Sequence, residues 1–273
     1  MQSSASGTAV ESTPPVVESQ LPAPDPAGLH PQEPLPVGHA QLWVLRPDAV
    51  DLPPLLRAAE RLLTPEERAR RDRFALEEPR VAFVLGRGMV RTSLARCTGV
   101  APGQVRLRIG PHGRPELDGE SGSPPVRFNL THTRGLVACA LARAARVGVD
   151  AEDLDRGLDH GAIARRHFAP AEVEQLRGLS GEPLRRRFFA LWTLKESYLK
   201  ARGEGISLGL SRFAFRLDPI RLELEPGLDD DPSAWQFELL EPSPRHLVAM
   251  SVKRGRQPDL EVAVREVRMF STE

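Results

Sequence analysis

No charge of one sign prevails in this sequence: Lys plus Arg and Asp plus Glu are equal at 37 each. A chain without a global basic field has no general attraction for nucleic acid or an anionic membrane surface, so any site for an anion has to be built locally. Cysteine is almost missing. The two present, Cys97 and Cys139, are too few for a disulfide framework, and both lie in apolar-periodic stretches. They read as small buried hydrophobes in a reducing compartment. No apolar run approaches the roughly 18 residues of a membrane span, and the first residues show no basic segment followed by an apolar one. The expected location is the cytoplasm, with neither nucleic acid nor membrane as partner.

What is there suffices for a sizeable core: 273 residues, 40% of them hydrophobic, enough for one large domain or two smaller ones. Residues 1–38 stand apart, rich in Pro, Ser, Ala and Glu with no sustained periodicity, and are expected to be a disordered tail. Ala40 to Leu45 reads as a first strand. Leu55, Leu56, Ala59, Leu62 and Leu63 then recur at helical intervals, and Thr64-Pro65-Glu66-Glu67 carries a cap, a first-turn proline and acidic residues that start a new helix. That helix bears Arg68, Arg70, Arg71 and Arg73, which serve either as a solvated face or as anion contacts. A further helix carries Val84, Leu85, Met89, Val90 and Leu94.

Val105 to Ile109 and Val126 to Leu130 read as strands, with dense turn chemistry between them that holds Arg114 between Gly113 and Pro115. Thr131 and His132 close the second strand; a lone histidine there is either a hydrogen-bonded structural residue or a ligand contact. An apolar run, Leu136 to Leu141, leads into Val147 to Glu152. Successive strand residues alternate faces, so Gly148, Asp150 and Glu152 share one side and Val147, Val149 and Ala151 the other. Two carboxylates side by side repel each other unless a cation sits between them; the pair marks either a cation site or a solvated strand end. Helical patterns follow through Ile163, Phe168, Val173 and Leu176, then strands over Trp235 to Leu240, Leu247 to Lys253 and Leu260 to Met269. Both halves give helices followed by strands, so the fold class is α+β, with two similar subdomains, 39–145 and 146–273.

The helix from Pro183 is the most informative element. At about 100° per residue its apolar residues form one stripe: Leu184, Phe188, Leu191, Trp192, Tyr198 and Leu199. Lys195 falls near the centre of that stripe, where it must snorkel, find buried acceptors or line a cleft. Glu196 and Lys200 lie four residues apart, which a surface ion pair would explain. Asp150, Glu152 and Glu196 together are three hard oxygen donors with no Cys or His cluster nearby, a set that suits Mg²⁺. The residues alone support a Mg²⁺-dependent reaction on a phosphate or pyrophosphate compound.

Gly148-Val149-Asp150-Ala151-Glu152, followed by Trp192-Thr193-Leu194-Lys195-Glu196-Ser197-Tyr198-Leu199-Lys200, resembles the paired signature of the 4'-phosphopantetheinyl transferases, in the long single-chain type that activates surfactin synthetase. The likeness extends to Gly113-Arg114-Pro115, Phe128 to Thr133, Arg73-Phe74, Gly86 with Arg91, and Gly205 to Leu208. It implies a pseudo-dimer of two similar α/β subdomains with the active site at their interface. It also implies the reaction: the 4'-phosphopantetheine group of coenzyme A passes to a serine of an apo acyl or peptidyl carrier protein, and 3',5'-ADP leaves.

By that resemblance Asp150, Glu152 and Glu196 are Mg²⁺ ligands, Lys200 is a phosphate contact, and Glu196 or a metal-bound water is the base. Thr131, His132, Arg114 and Arg70 match residues that hold the coenzyme A phosphates, whereas Glu67 stands where the family has a lysine. Arg165, Arg166 and Phe168 fall in the segment that meets the carrier protein, Arg156 to Leu176, or are core and solvated face. The expected state is a monomer. Two readings from other classes remain beside it: a Mg²⁺-dependent pyrophosphate or phosphodiester hydrolase, and a binding module without catalysis, which retention of three carboxylates argues against.

Overall fold

The computed structural model describes residues 34–110, 114–118 and 124–270, apart from the side chains of Ile206 and Ser207. Residues 1–33 of the expected tail and Gly113 of the Gly-Arg-Pro turn lie outside the described residues. The chain runs through β1 (His39–Leu45), α1 (Leu52–Arg61), α2 (Pro65–Arg71), α3 (Glu77–Thr98), β2 (Leu107–Ile109), β3 (Pro115–Leu117), β4 (Val126–Thr133) and β5 (Leu136–Arg143). It continues as β6 (Arg146–Asp153), α4 (His160–His167), α5 (Pro170–Gln175), α6 (Gly181–Arg202), β7 (Phe213–Leu217), β8 (Ile220–Leu224), β9 (Trp235–Ser243) and β10 (His246–Lys253), and ends with β11 (Glu261–Glu266). A strand, three helices, a short hairpin and two antiparallel strands thus occur twice. The sheet order β1-β5-β4 of the first half returns as β6-β10-β9 in the second. This is the doubled α+β architecture expected from the sequence.

Local chemistry explains the helix ends. Thr64 Oγ1 accepts from the Glu67 N–H while the Glu67 carboxylate accepts from the Thr64 N–H, at 3.2 and 3.0 Å, a reciprocal cap that starts α2. The two long helices, α3 and α6, are 22 residues each and both stop at a glycine with positive φ, Gly99 (76°) and Gly203 (81°). Their N–H groups return to Ala95 O and Leu199 O, satisfying carbonyls that the helix leaves open.

Strand alternation divides the core into three parts. Val137, Cys139 and Leu141 of β5 face α1 and α3, while Leu136, Ala138, Ala140 and Ala142 face the second sheet. There they meet Val147, Val149 and Ala151 of β6 and Val248, Met250 and Val252 of β10. The third cluster packs around α6, with Phe188, Phe189, Leu191, Leu194, Tyr198 and Leu199 against Leu247 and Ala249. Helix α6 is therefore buried on nearly all sides rather than along one stripe, because the second sheet covers one flank and β7, β8 and the α4–α5 pair cover another.

Two boundaries differ from the sequence reading. Leu35, placed in the tail, is 2% exposed and its N–H donates to Cys97 O, so packing begins ahead of His39. The last strand, placed in the second subdomain, leaves it. β11 pairs in parallel with β1 and shields an edge of the first sheet that would otherwise carry unpaired backbone groups.

Gly148 is where β6 and α6 are pressed together. A Cβ there would lie 2.1 Å from Ser197 O and 2.4 Å from Ala201 N of α6, so only glycine lets the helix backbone rest on β6. Gly148→Ala is expected to cost about 3 kcal/mol, the upper end of overpacking penalties, read as a lowered midpoint in urea unfolding.

Candidate active site

The register of β6 turns Asp150 and Glu152 to the face that α6 covers, where they are 6% and 8% exposed. Helix α6 brings Glu196 and Lys200 to the same place. The Lys200 ammonium does not pair with Glu196, as i,i+4 spacing allowed. It lies 2.5 Å from Asp150 Oδ1 and donates also to Thr131 Oγ1 and Val149 O, both at 3.2 Å. Thr131, at the end of β4, donates weakly to the same Asp150 oxygen at 3.4 Å. The neighbouring Asn129 accepts from the Val149 N–H at 2.8 Å, which locks the edge of the first sheet to β6. First-half and second-half residues thus share one hydrogen-bonded group. The foot of α6 is held separately: Asp230 accepts from Tyr198 Oη at 2.9 Å and from Arg202 at 3.2 Å.

Electrostatics mark the cluster as short of positive charge. Burial, only partly offset by Lys200, raises the Asp150 pKa. Glu152 is pushed up to about 7, by burial first and by Asp150 second. Glu196 is raised by burial and then by Asp150, and among the described residues its carboxylate has no hydrogen-bond partner. Although His132 reaches solvent, atoms packed around it and, second, the Lys200 ammonium hold its imidazole below 6.5, so it is largely neutral at pH 7.

The donor set can be tested for a divalent cation on one further fact: Asp150 Oδ2 is buried and has no hydrogen-bond partner. An orphaned buried carboxylate oxygen, with two more carboxylates whose titration is coupled to it, fits a hard cation in chemistry. As placed, no three His, Cys, Asp or Glu side chains among the described residues close around one point. Asp150 Oδ1 is instead held by Lys200.

The Glu152 carboxyl, raised above its ordinary 4.5 to about 7, stabilises the metal-free fold most below pH 4.5 and loses that contribution as pH rises through 7. A cation needs the carboxylate, so Mg²⁺ affinity is expected to rise up to about tenfold per pH unit below 7 and to level off above it. Calorimetric Mg²⁺ titrations between pH 5.5 and 8 read this directly.

Other sequence candidates fall elsewhere. The Arg114 guanidinium, expected at a phosphate, donates to three backbone carbonyls: Lys200 O at 2.6 Å, Phe128 O at 2.7 Å and Val147 O at 2.8 Å. It braces the two halves by tying β4, β6 and α6 together. Arg70 is exposed on α2 with its guanidinium 5.3 Å from the Phe83 ring centre, and none of its described contacts reaches the carboxylates. Glu67, at the family's lysine position, is occupied by Arg91 at 2.9 Å and Arg87 at 3.4 Å, and so neutralises a guanidinium that is 2% exposed.

Lys195 is not in the cleft. It is fully buried, 2.5 Å from Glu172 and 2.6 Å from Phe213 O. Phe168 is a core residue, 4% exposed and stacked on Phe188 at 5.3 Å, because the segment after α4 turns inward to cover α6. Arg165 and Arg166 remain exposed on α4. Sequence reasoning placed Arg156 only at the start of the carrier segment and missed its contact with Glu152, at 3.3 and 3.5 Å. The i,i+4 spacing was visible, but it crosses the end of a strand, where helical spacing has no meaning.

Residues 146–251 match the 4'-phosphopantetheinyl transferase superfamily, and residues 53–144 match the N-terminal region of 4'-phosphopantetheinyl transferases. The chain is 36% identical over 200 residues to the 4'-phosphopantetheinyl transferase HetI of Nostoc sp., covering 72% of this chain and 81% of HetI. It belongs to the 4'-phosphopantetheinyl transferase family. A 4'-phosphopantetheinyl transferase of Bacillus subtilis is 29% identical over 165 residues, 59% of this chain and 71% of that one. The human L-aminoadipate-semialdehyde dehydrogenase-phosphopantetheinyl transferase is 29% identical over 217 residues, 74% and 69% of the two chains. None of these relatives carries a hydrolase name. No helix among the described residues of this transferase is long and apolar enough to cross a membrane.

Proposed function

We propose that this transferase moves the 4'-phosphopantetheine group of coenzyme A onto a serine of an apo acyl or peptidyl carrier protein, with Mg²⁺ held by Asp150, Glu152 and Glu196. The observation that carries the reading is Asp150, one oxygen on Lys200 and the other buried without a partner, at a point where residues of both halves meet.

The chemistry is a phosphoryl transfer. The serine Oγ forms a bond to the outer phosphorus of the coenzyme A diphosphate, the P–O bond to 3',5'-ADP breaks, and the serine proton goes to a base. Bound Mg²⁺ would neutralise the diphosphate oxygens and stabilise the departing 3',5'-ADP. Lys200, freed from Asp150, contacts the same anionic oxygens and lowers their repulsion of the serine. Glu196 is the base candidate on this chain, since among the described residues its carboxylate carries no hydrogen bond. His132 donates to a phosphate oxygen, and Arg70 supports the nucleotide end from α2. Arg114 acts through the backbone it braces. Arg165 and Arg166 offer positive charge to an acidic carrier surface. Cys97 and Cys139 are buried and outside any disulfide, which accords with a reducing cytoplasm, and the protein is taken to act as a monomer.

Incubating the protein with coenzyme A, Mg²⁺ and an apo carrier protein tests this by the carrier's intact mass. A gain of one phosphopantetheine is the expected result. Release of adenosine phosphates with an unmodified carrier would favour hydrolysis and overturn the proposal.

A further inference from the structure

The site holds a second side-chain cation that the reaction above does not use. Arg156 follows β6, its side chain is 56% exposed, and its one described ion pair is with Glu152, whose side chain is 10% exposed. Lys200 stands in the same relation to Asp150. Each strand carboxylate therefore already has a positive partner from the chain itself. An incoming divalent cation must take both carboxylates from those partners, and both partners are long side chains with solvent to turn into.

We propose that Arg156 is a displaceable counter-ion of Glu152 that makes divalent-cation binding and coenzyme A binding depend on one another. The inference rests on the proposed function for the identity of the second ligand. Asp150, Glu152 and Glu196 with Lys200 and Arg156 leave one formal negative charge. A divalent cation alone turns the group net positive and leaves two displaced cations without an anion. The two negative charges of a diphosphate restore the balance and give Lys200 and Arg156 new acceptors. Each ligand thus removes the electrostatic cost of the other, and by linkage the effect is the same in either order of addition. Arg156 acts here as a positioning residue, through Glu152 and then through the phosphates. Its exposure means that replacing it removes little packing.

Mn²⁺ titrations followed by loss of the free-ion resonance, on wild type, Arg156→Gln and Arg156→Lys, each with and without saturating coenzyme A, test the proposal. Without coenzyme A, Arg156→Gln is expected to bind Mn²⁺ about three- to tenfold tighter than wild type, since one positive charge near the ion is gone. With coenzyme A that advantage disappears, so coenzyme A tightens Mn²⁺ less in the variant than in wild type. Arg156→Lys, which keeps the charge, follows wild type. Equal Mn²⁺ affinity of wild type and Arg156→Gln without coenzyme A, or equal tightening by coenzyme A in both, would overturn the counter-ion role. Failure of wild type to bind coenzyme A at all would instead remove the functional reading, and the coenzyme-free titrations would still decide whether Arg156 competes with the metal.

Discussion

Asp150→Ala and Glu196→Ala are each expected to lower kcat for carrier modification by about 10²-fold or more, with little loss of stability. The two effects separate because these carboxylates are not structural. Burial raises both pKa values, and repulsion from Asp150 adds to that of Glu196, so in the metal-free fold their charges are a cost, and removing one leaves urea unfolding unchanged or slightly more resistant. Lys200 would lose its Asp150 partner but keeps Thr131 Oγ1 and Val149 O as acceptors. Initial rates from carrier mass, set beside unfolding midpoints, measure both halves of the prediction. A variant that loses activity and stability together would mean that the cluster holds the fold rather than the substrate.

The opposite pattern is expected for the adjacent residue in sequence. Lys195→Met should destabilise by about 3–5 kcal/mol, the usual result of removing one partner of a buried ion pair, while the folded fraction still transfers at near wild-type kcat. Glu172, fully buried, accepts from Lys195 Nζ, from the Phe215 N–H at 2.9 Å and from the Ala169 N–H at 3.0 Å. The carboxylate thus ties α5, β7 and α6 together. Without the ammonium it is a buried charge with amide donors only. The double variant Lys195→Met/Glu172→Gln removes both charges and keeps an acceptor for the amides, so it should recover part of the loss; the difference from the sum of single changes gives the coupling. Chemical unfolding of all four proteins measures it. A stable Lys195→Met with lost activity would instead put the lysine in the reaction.

These two residues also show what the sequence could and could not carry. The alternation Gly148, Asp150, Glu152 was legible because a strand's period is two whatever surrounds it, and the structure finds all three on the face under α6. The helical spacing of Glu196 and Lys200 was legible for the same reason. Partners were not. Lys195 in an apolar stripe announced a buried charge, but its acceptor lies 23 residues back on another helix, and no local period links them. Glu196 with Lys200 read as a surface ion pair because spacing knows nothing of Asp150 across the interface. Arg114 was recognised as a restrained guanidinium, but whether it meets a phosphate or three carbonyls depends on how closely α6 approaches β4 and β6. Leu35 misled, since a leucine at the edge of a polar tail packed into the core, whereas Phe168, left open between carrier contact and core, turned inward to the core. β11 shows the limit of reading domains by chain order, since an unpaired edge recruits the nearest suitable strand from either half.

The central claim is that the three carboxylates hold a divalent cation against the diphosphate of coenzyme A. Phosphorus-31 electron–nuclear double resonance on the protein loaded with Mn²⁺ and coenzyme A tests it most directly. Strong phosphorus couplings in wild type, abolished in Asp150→Ala, are the predicted result; Mn²⁺ and coenzyme A bound together without phosphorus coupling, or an unchanged spectrum in Asp150→Ala, would contradict it.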